Sequence, residues 1–600
     1  MQHPAIHTFH IPVMGLAFTI DSPVKVARYG ISSVISIVED KLIEMMRRHY
    51  YPLIGKEYQP IGTQENDYRA RRITDYLNLV NTIVQAQVEK LKNAAFDAGS
   101  EIVKYFEMLP EHSSLKQLYR QMIHTKNASE KEKLEALLRT HIKPGGIDVN
   151  IMTKIDRNNF DRNGDVLTDG SDAVSALRGY VKSNLTNSSI IFSAGMNPRL
   201  YNYLETCNEF DINDDGGFTK RIIVKVSDYR SALIQGKYLA KKGIWVSEFR
   251  VESGLNCGGH AFATDGFLLG PILEEFRIKK QELTDSLFEI YSAACLRKKN
   301  KTITCTPQIS VSVQGGIGTY EEDELLHRYF EVNSTGWGTP FLLVPEATTV
   351  DENTLNLLCA AEEKDVVLSR NSPLGVRFHY LKGTSSHEEK LTRIARGKPG
   401  SPCTEKHLVF NTEFTKEPIC TASRKYQELK IAQLQSLHLP ETTYKEQVQE
   451  VLDKECLCIG LSNSAAIQYN QPFVKKLNAV AICPGPNIVN FSKVVSLQSM
   501  TDHIYGRNNI CTNDNRPNMF IAELNLYIKY FKEKLEEESK QEILEKNKKQ
   551  NAGFYSNLIN GISYYRSLPV ALAAREAFIK ALDHAATDLQ HLQCRYSISD

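Results

Sequence analysis

At 600 residues the chain is longer than one hydrophobic core usually supports, so several domains or one heavily decorated domain are expected. Its 42% hydrophobic and 24% charged content is ordinary for a soluble globular protein. Lys plus Arg (72) nearly balances Asp plus Glu (71), so no bulk charge points to nucleic acid or an anionic membrane.

The apolar stretch near the N-terminus has no Lys or Arg before it, and Asp21 ends it early, which argues against a secretory signal. No run approaches the roughly 18–20 apolar residues of a membrane span. A cytoplasmic location is therefore expected, with the twelve cysteines kept mostly as thiols.

In chain order, residues 11–18 (IPVMGLAF) read as a buried strand, and Asp21-Ser22-Pro23 as the start of a helix that Gly30 stops. Residues 31–38 (ISSVISIV) are the second strand. The stretch of about 40–142 is helix-rich and polar and reads as an insertion. Strands follow at 149–155, 189–193, 221–226, 244–249, 309–313 and 332–335. Helical stretches separate them, from about Asp172, Pro198, Tyr229, Phe267 and Glu321. Eight β-branched runs alternating with helices predict an α/β fold, a closed (β/α)8 TIM barrel. The barrel with its helical insertion would occupy 1–385. A mixed, cysteine-containing extension would cover 386–512 and a helical region 513–600, whose charged run at 532–550 is expected to be a solvated helix.

Catalytic groups of such barrels sit at the C-terminal ends of strands. Just past the sixth strand, GLNCGGH (254–260) puts Gly258 and Gly259, which let a backbone lie flat against a ring, beside His260. Imidazole is the side chain best placed to move protons near neutral pH. VQGGIGT (313–319) and GWGTPF (336–341) follow strands seven and eight, the usual phosphate loops of these barrels.

The order GLNCGGH, VQGGIGT, GWGTPFLLVPEA resembles the nitronate monooxygenase (2-nitropropane dioxygenase) family of FMN-binding TIM barrels, which also includes flavin-dependent enoyl-ACP reductases. The resemblance extends over about 8–385 and includes DVVLSRNSPLGVRFHYLKG (365–383). It implies FMN at the barrel mouth, its phosphate on Gly315, Gly316, Gly338 and Thr339. It also implies that Met14 and Gly15 line the flavin, that Asn150 makes a polar contact to the ring, and that Lys225 is the cation near flavin N1 and O2. The chain departs from the family at Tyr29-Gly30-Ile31-Ser32, where a paired glycine is usual, and at Asn256 and Cys257, where an acidic and a small residue are usual.

The expected activity is an FMN-dependent oxidoreductase acting on a small or acyl-type organic substrate, with His260 as the proton-transfer residue. An enoyl reductase using NAD(P)H as electron donor and a non-catalytic flavin-binding module are the alternatives. The helical regions offer surfaces for a homo-oligomer or a protein partner. Residues 211–216 (DINDDG) begin like a calcium loop, but position twelve is Ile222 where a bidentate Glu is required, so a turn is expected. No metal ligand is assigned. Cys403, Cys420, Cys456, Cys458 and Cys483 match no two-knuckle C-x-x-C pattern and leave a metal site or cluster open.

Overall fold

A computed structural model describes residues 6–160, 163–193, 195–258, 265–471, 478–539, 545–568 and 575–598. Eight parallel strands close into a barrel in sequence order: β1 (Phe9–Ile11), β2 (Ser32–Ser36), β3 (Ile147–Ile151), β4 (Ser188–Phe192), β5 (Lys220–Val226), β6 (Glu248–Glu252), β7 (Ser310–Gln314) and β8 (Ser334–Gly336). β8 pairs back onto β1 through Phe9 opposite Thr335. Parallel neighbours require crossovers, and the helices that supply them pack their apolar faces on the barrel wall. Gly30, at φ +81°, ends the first crossover where the sequence placed a stop.

Three strands differ from expectation, and β3 is Ile147–Ile151 where 149–155 was expected. β1 is Phe9–Ile11, because Pro12 has no N–H for the ladder and the Met14 N–H goes to the Thr19 hydroxyl. The remaining apolar run is buried as a loop, with Ala17 N–H bonded to the Leu461 carbonyl. β6 begins at Glu248, not 244; residues 244–247 are buried without belonging to the strand.

The crossover between β2 and β3 carries the insertion as five helices, Asp40–Leu53, Tyr68–Lys92, Glu101–Glu107, Ser114–His124 and Ala128–His141. Buried Asp40 pairs with Arg69 (2.6 Å) and Arg72 (2.8 Å), fixing the first two to each other. After the barrel comes an antiparallel hairpin, β9 (Val366–Ser369) and β10 (Phe378–Leu381). Helices dominate the rest, ending in Met519–Glu538, Glu545–Ser567 and Arg575–Tyr596. The charged run at 532–550 is not simply solvated: Glu533 pairs with Arg377 and Glu537 with Arg370, both near the hairpin.

Asp21, fully buried, ties three regions together. Its carboxylate accepts from Tyr50 of the insertion (2.8 Å), Thr349 after the barrel (2.6 Å) and Tyr469 of the extension. Burial alone would raise its pKa, but Lys25 and the three hydroxyls outweigh burial and hold it below the usual carboxylate value. Asp21→Ala would strand these donors in the interior and is expected to lower unfolding free energy by about 3–5 kcal/mol, read by chemical denaturation. A loss under about 1 kcal/mol would contradict the role.

Two buried histidines also span regions. His379 on β10 donates Nε2–H to the Gly254 carbonyl (2.9 Å), and His7 donates Nε2–H to that of Tyr29 (3.1 Å). Burial, only partly offset by those bonds, lowers each from 6.5 to about 4. Both are neutral in the folded chain, whereas the unfolded chain protonates them near 6.5. Their contribution is thus complete above about pH 6.5 and is lost as pH falls toward about 4. His379→Gln, which keeps a donor but cannot titrate, is expected to flatten the fall of Tm across that window. An unchanged slope would remove His379 from the account.

Candidate active site

Strand alternation carries Val34, Ile191 and Ile223 into the barrel, where they form a small apolar cluster against Val13. Two residues further along the same faces come Ser36, Ser193 and Lys225, which reach the mouth. With Asn150 and Glu252, at or near the ends of β3 and β6, they line a pocket. Gly15, Leu16, Lys154, Gly258 and, from the extension, Leu461 are also in its wall.

The pocket's chemistry centres on Glu252. Its Oε1 accepts from Lys225 Nζ (3.0 Å), Asn256 Nδ2 (2.7 Å) and Gln314 Nε2 (2.8 Å). The Lys225 and Glu252 side chains are only 9% and 8% exposed, so each charge depends on the other for compensation. Asn150 is buried, and its Oδ1 has no partner among the described residues. The residue lines the pocket, and an unpaired buried carbonyl oxygen is an acceptor without its donor.

The loop after β6 is gripped from outside the barrel. Glu523, on helix Met519–Glu538, accepts from the Ser253 hydroxyl (2.7 Å), Gly254 N–H (3.2 Å) and Leu269 N–H (2.7 Å). One carboxyl group therefore holds both ends of the segment 255–268, and burial raises its pKa above the usual carboxylate value. Gly258 has φ +71°, and a Cβ there would lie 2.7 Å from the Gly15 nitrogen. The β1 and β6 loops thus touch through a residue that must be glycine. Gly259 and His260 fall outside the described residues. Burial pushes the Cys257 thiol well above its ordinary value, so it is a packing group and not a nucleophile.

Of the residues expected at the flavin, Gly15, Asn150, Lys225 and Gly258 share this one pocket. Met14 and Gly338 lie behind it, a Cβ on Gly338 falling 3.5 Å from Met14 Sδ. Gly315 (φ +105°) and Gly316 (φ +82°) have left-handed backbones, and Cβ atoms there would meet Asn256 at 3.0 Å and Leu255 at 2.5 Å. Thr339 donates its hydroxyl to the Pro484 carbonyl (2.6 Å), while Arg516 binds the Gly316 carbonyl (2.7 Å) and Glu322 (2.7 Å). The unpaired acceptor and the held cation suit an isoalloxazine. At the phosphate end the glycine loops are in place, but the extension around Pro484 and Arg516 packs directly against them.

Sequence reasoning missed Glu252, Ser36, Ser193 and Leu461. Glu252 was legible, since it ends β6 on the face of Glu248 and Arg250, one strand over from Lys225. Leu461 carried no signal, because only tertiary packing brings it to Gly15. Residues 211–216 form a turn: Asn213 N–H bonds the Gly217 carbonyl (2.8 Å), and β5 begins at Lys220.

No family model and no curated protein matches the chain. Among solved structures, it is similar to the enoyl reductase domain of MlnA from the macrolactin biosynthesis cluster of Bacillus amyloliquefaciens, with 14% identity and a TM-score of 0.33 over 66% of this chain and 86% of that one. It is also similar to a nitroalkane oxidase from Streptomyces ansochromogenes, with 10% identity and a TM-score of 0.27 over 64% of this chain and 85% of that one. Both likenesses are low in identity and in TM-score.

Proposed function

We propose that the chain is an FMN-dependent oxidoreductase of the nitronate monooxygenase-like kind, acting on a small or acyl-type organic substrate with His260 as its proton-transfer residue. The observation that supports this best is the pairing, in one barrel-mouth pocket, of an unpartnered acceptor on Asn150 with a buried cation on Lys225. Bound FMN would supply two-electron acceptance and donation, which no side chain of the pocket can provide.

The chain's own groups have separable tasks. Lys225 would place positive charge where a reduced ring carries negative charge, and Glu252 keeps that ammonium aimed at the mouth. Asn150 Oδ1 would accept a ring N–H. Leu16 and Leu461 give the pocket apolar wall, limiting water and strengthening each electrostatic contact inside. His260 would take a proton from an acidic C–H or return one to a reduced substrate carbon, both within reach of an imidazole near neutral pH.

The purified protein is expected to be yellow and to release FMN on denaturation, identified by mass spectrometry; FAD or no flavin would overturn the proposal. His260→Ala is expected to keep FMN and slow turnover by roughly 10²–10⁴-fold, assayed both with nitronates under O2 and with NAD(P)H plus an enoyl thioester. If the residue moves protons, His260→Asn loses activity as well, and the pH–rate profile loses one limb between about pH 5 and 8. Wild-type turnover in the alanine variant would exclude His260 from the chemistry.

A further inference from the structure

Helix Met519–Glu538 runs from the barrel to the hairpin and is fastened to both. Glu523 holds it to the loop after β6, through the Ser253 hydroxyl (2.7 Å) and Leu269 N–H (2.7 Å). Ten residues on, about 15 Å along the helix axis, Glu533 pairs with Arg377 beside β10. Between these anchors the helix and the hairpin leave a cleft of about 320 Å³. Strand pairing sets His379 opposite Leu368, so the two share one face of the hairpin, and both line the cleft with Val366. Ala522 and Leu526, one turn apart, line it from the helix, and Leu255 and Gly316 from the barrel.

The cleft shares no lining residue with the mouth pocket. The segment 483–486 runs between the two, its Cys483 carbonyl on Gly258 N–H (3.1 Å) and its Pro486 in the cleft wall. Protein interiors leave few voids larger than a water molecule, because an apolar gap forfeits the contacts of its lining. Loose packing alone would leave only apolar side chains around such a gap, yet His379 is in this wall. Its side chain belongs to a residue only 5% exposed, and burial keeps the ring neutral. The one ring N–H is Nε2–H, committed to the Gly254 carbonyl (2.9 Å). Nδ1 is therefore a bare acceptor, with no partner among the described residues. The charged groups of the wall favour neither sign. Arg516 is paired with Glu322 (2.7 Å) and Glu533 with Arg377, while Lys529 and Glu363 are exposed and opposite in charge.

We propose that this cleft binds a small, neutral, largely apolar molecule whose hydroxyl or N–H donates to His379 Nδ1. The apolar walls supply the burial, and the single acceptor fixes the orientation, the usual division of labour in a small-molecule site. The imidazole that receives the ligand also holds the Gly254 carbonyl, and Leu255 of the wall is next in the chain. The occupant would thus rest on the loop after β6. The site does not depend on the flavin reading, in which neither His379 nor this helix takes part.

The test is a calorimetric titration of the full chain with 2-naphthol, and with 2-methoxynaphthalene as the same ring system without a donor. One 2-naphthol per chain is expected, with a Kd below about 1 mM for a ligand of this size. The methoxy compound should bind at least about tenfold more weakly, the cost of leaving the acceptor unpaired. Leu526→Trp, which fills the cleft from a half-buried position, should abolish binding. Lys154→Gln, at the mouth pocket, should leave it unchanged. No saturable binding of 2-naphthol, equal binding of the two probes, survival of binding in Leu526→Trp or its loss in Lys154→Gln would each overturn the proposal. The comparison of the two probes needs only the wild type, so it decides even if Leu526→Trp does not fold.

Discussion

The candidate site rests on one carboxylate oxygen taking three donors. Glu252 Oε1 holds Lys225, Asn256 and Gln314 at once, joining the ends of β5, β6 and β7 to the loop that leads to His260. A buried ion pair is expensive to desolvate and persists only where further hydrogen bonds satisfy it. Here those bonds come from residues whose backbones are fixed by barrel closure. The cation is therefore kept in an apolar-walled pocket at a defined place, which suits it to meet a developing negative charge.

The elements added to the barrel complete this pocket. Leu461 enters its wall and bonds Ala17 through its carbonyl; Cys483 accepts the Gly258 N–H (3.1 Å) and the Cys257 thiol (3.1 Å). Glu523 grips both ends of the loop after β6, and His379 holds the Gly254 carbonyl between them. Asp21 binds insertion and extension to the same rim. The barrel, insertion and extension thus share one core and one mouth.

Much of this was legible in advance. Eight β-branched runs with helices between them identified the barrel, because a parallel strand buried on both faces must be apolar. Gly30 and Pro198 marked helix ends by chemistry that acts locally. Asn150 and Lys225 were assigned from the resemblance, and both line the mouth pocket. The run at 11–18 misled because burial, not pairing, makes it apolar, and Pro12 was the discordant residue. Glu252 was passed over for Asn256, though the same two-residue alternation that places Lys225 places it too. Contacts made by the extension, such as Leu461 against Gly15 or Thr339 with Pro484, depend on packing across distances that no local pattern records.

The most direct measurement is a titration of flavin-free protein with FMN, followed by quenching of flavin fluorescence, in the wild type and in Glu252→Gln. Glutamine keeps the size of the hub and one acceptor oxygen but removes the charge that holds Lys225. The account expects the wild type to saturate at one FMN per chain and the variant to bind at least about tenfold more weakly, a loss of about 1.4 kcal/mol. A wild-type protein that does not take up FMN, or a variant that binds it equally well, would contradict the account.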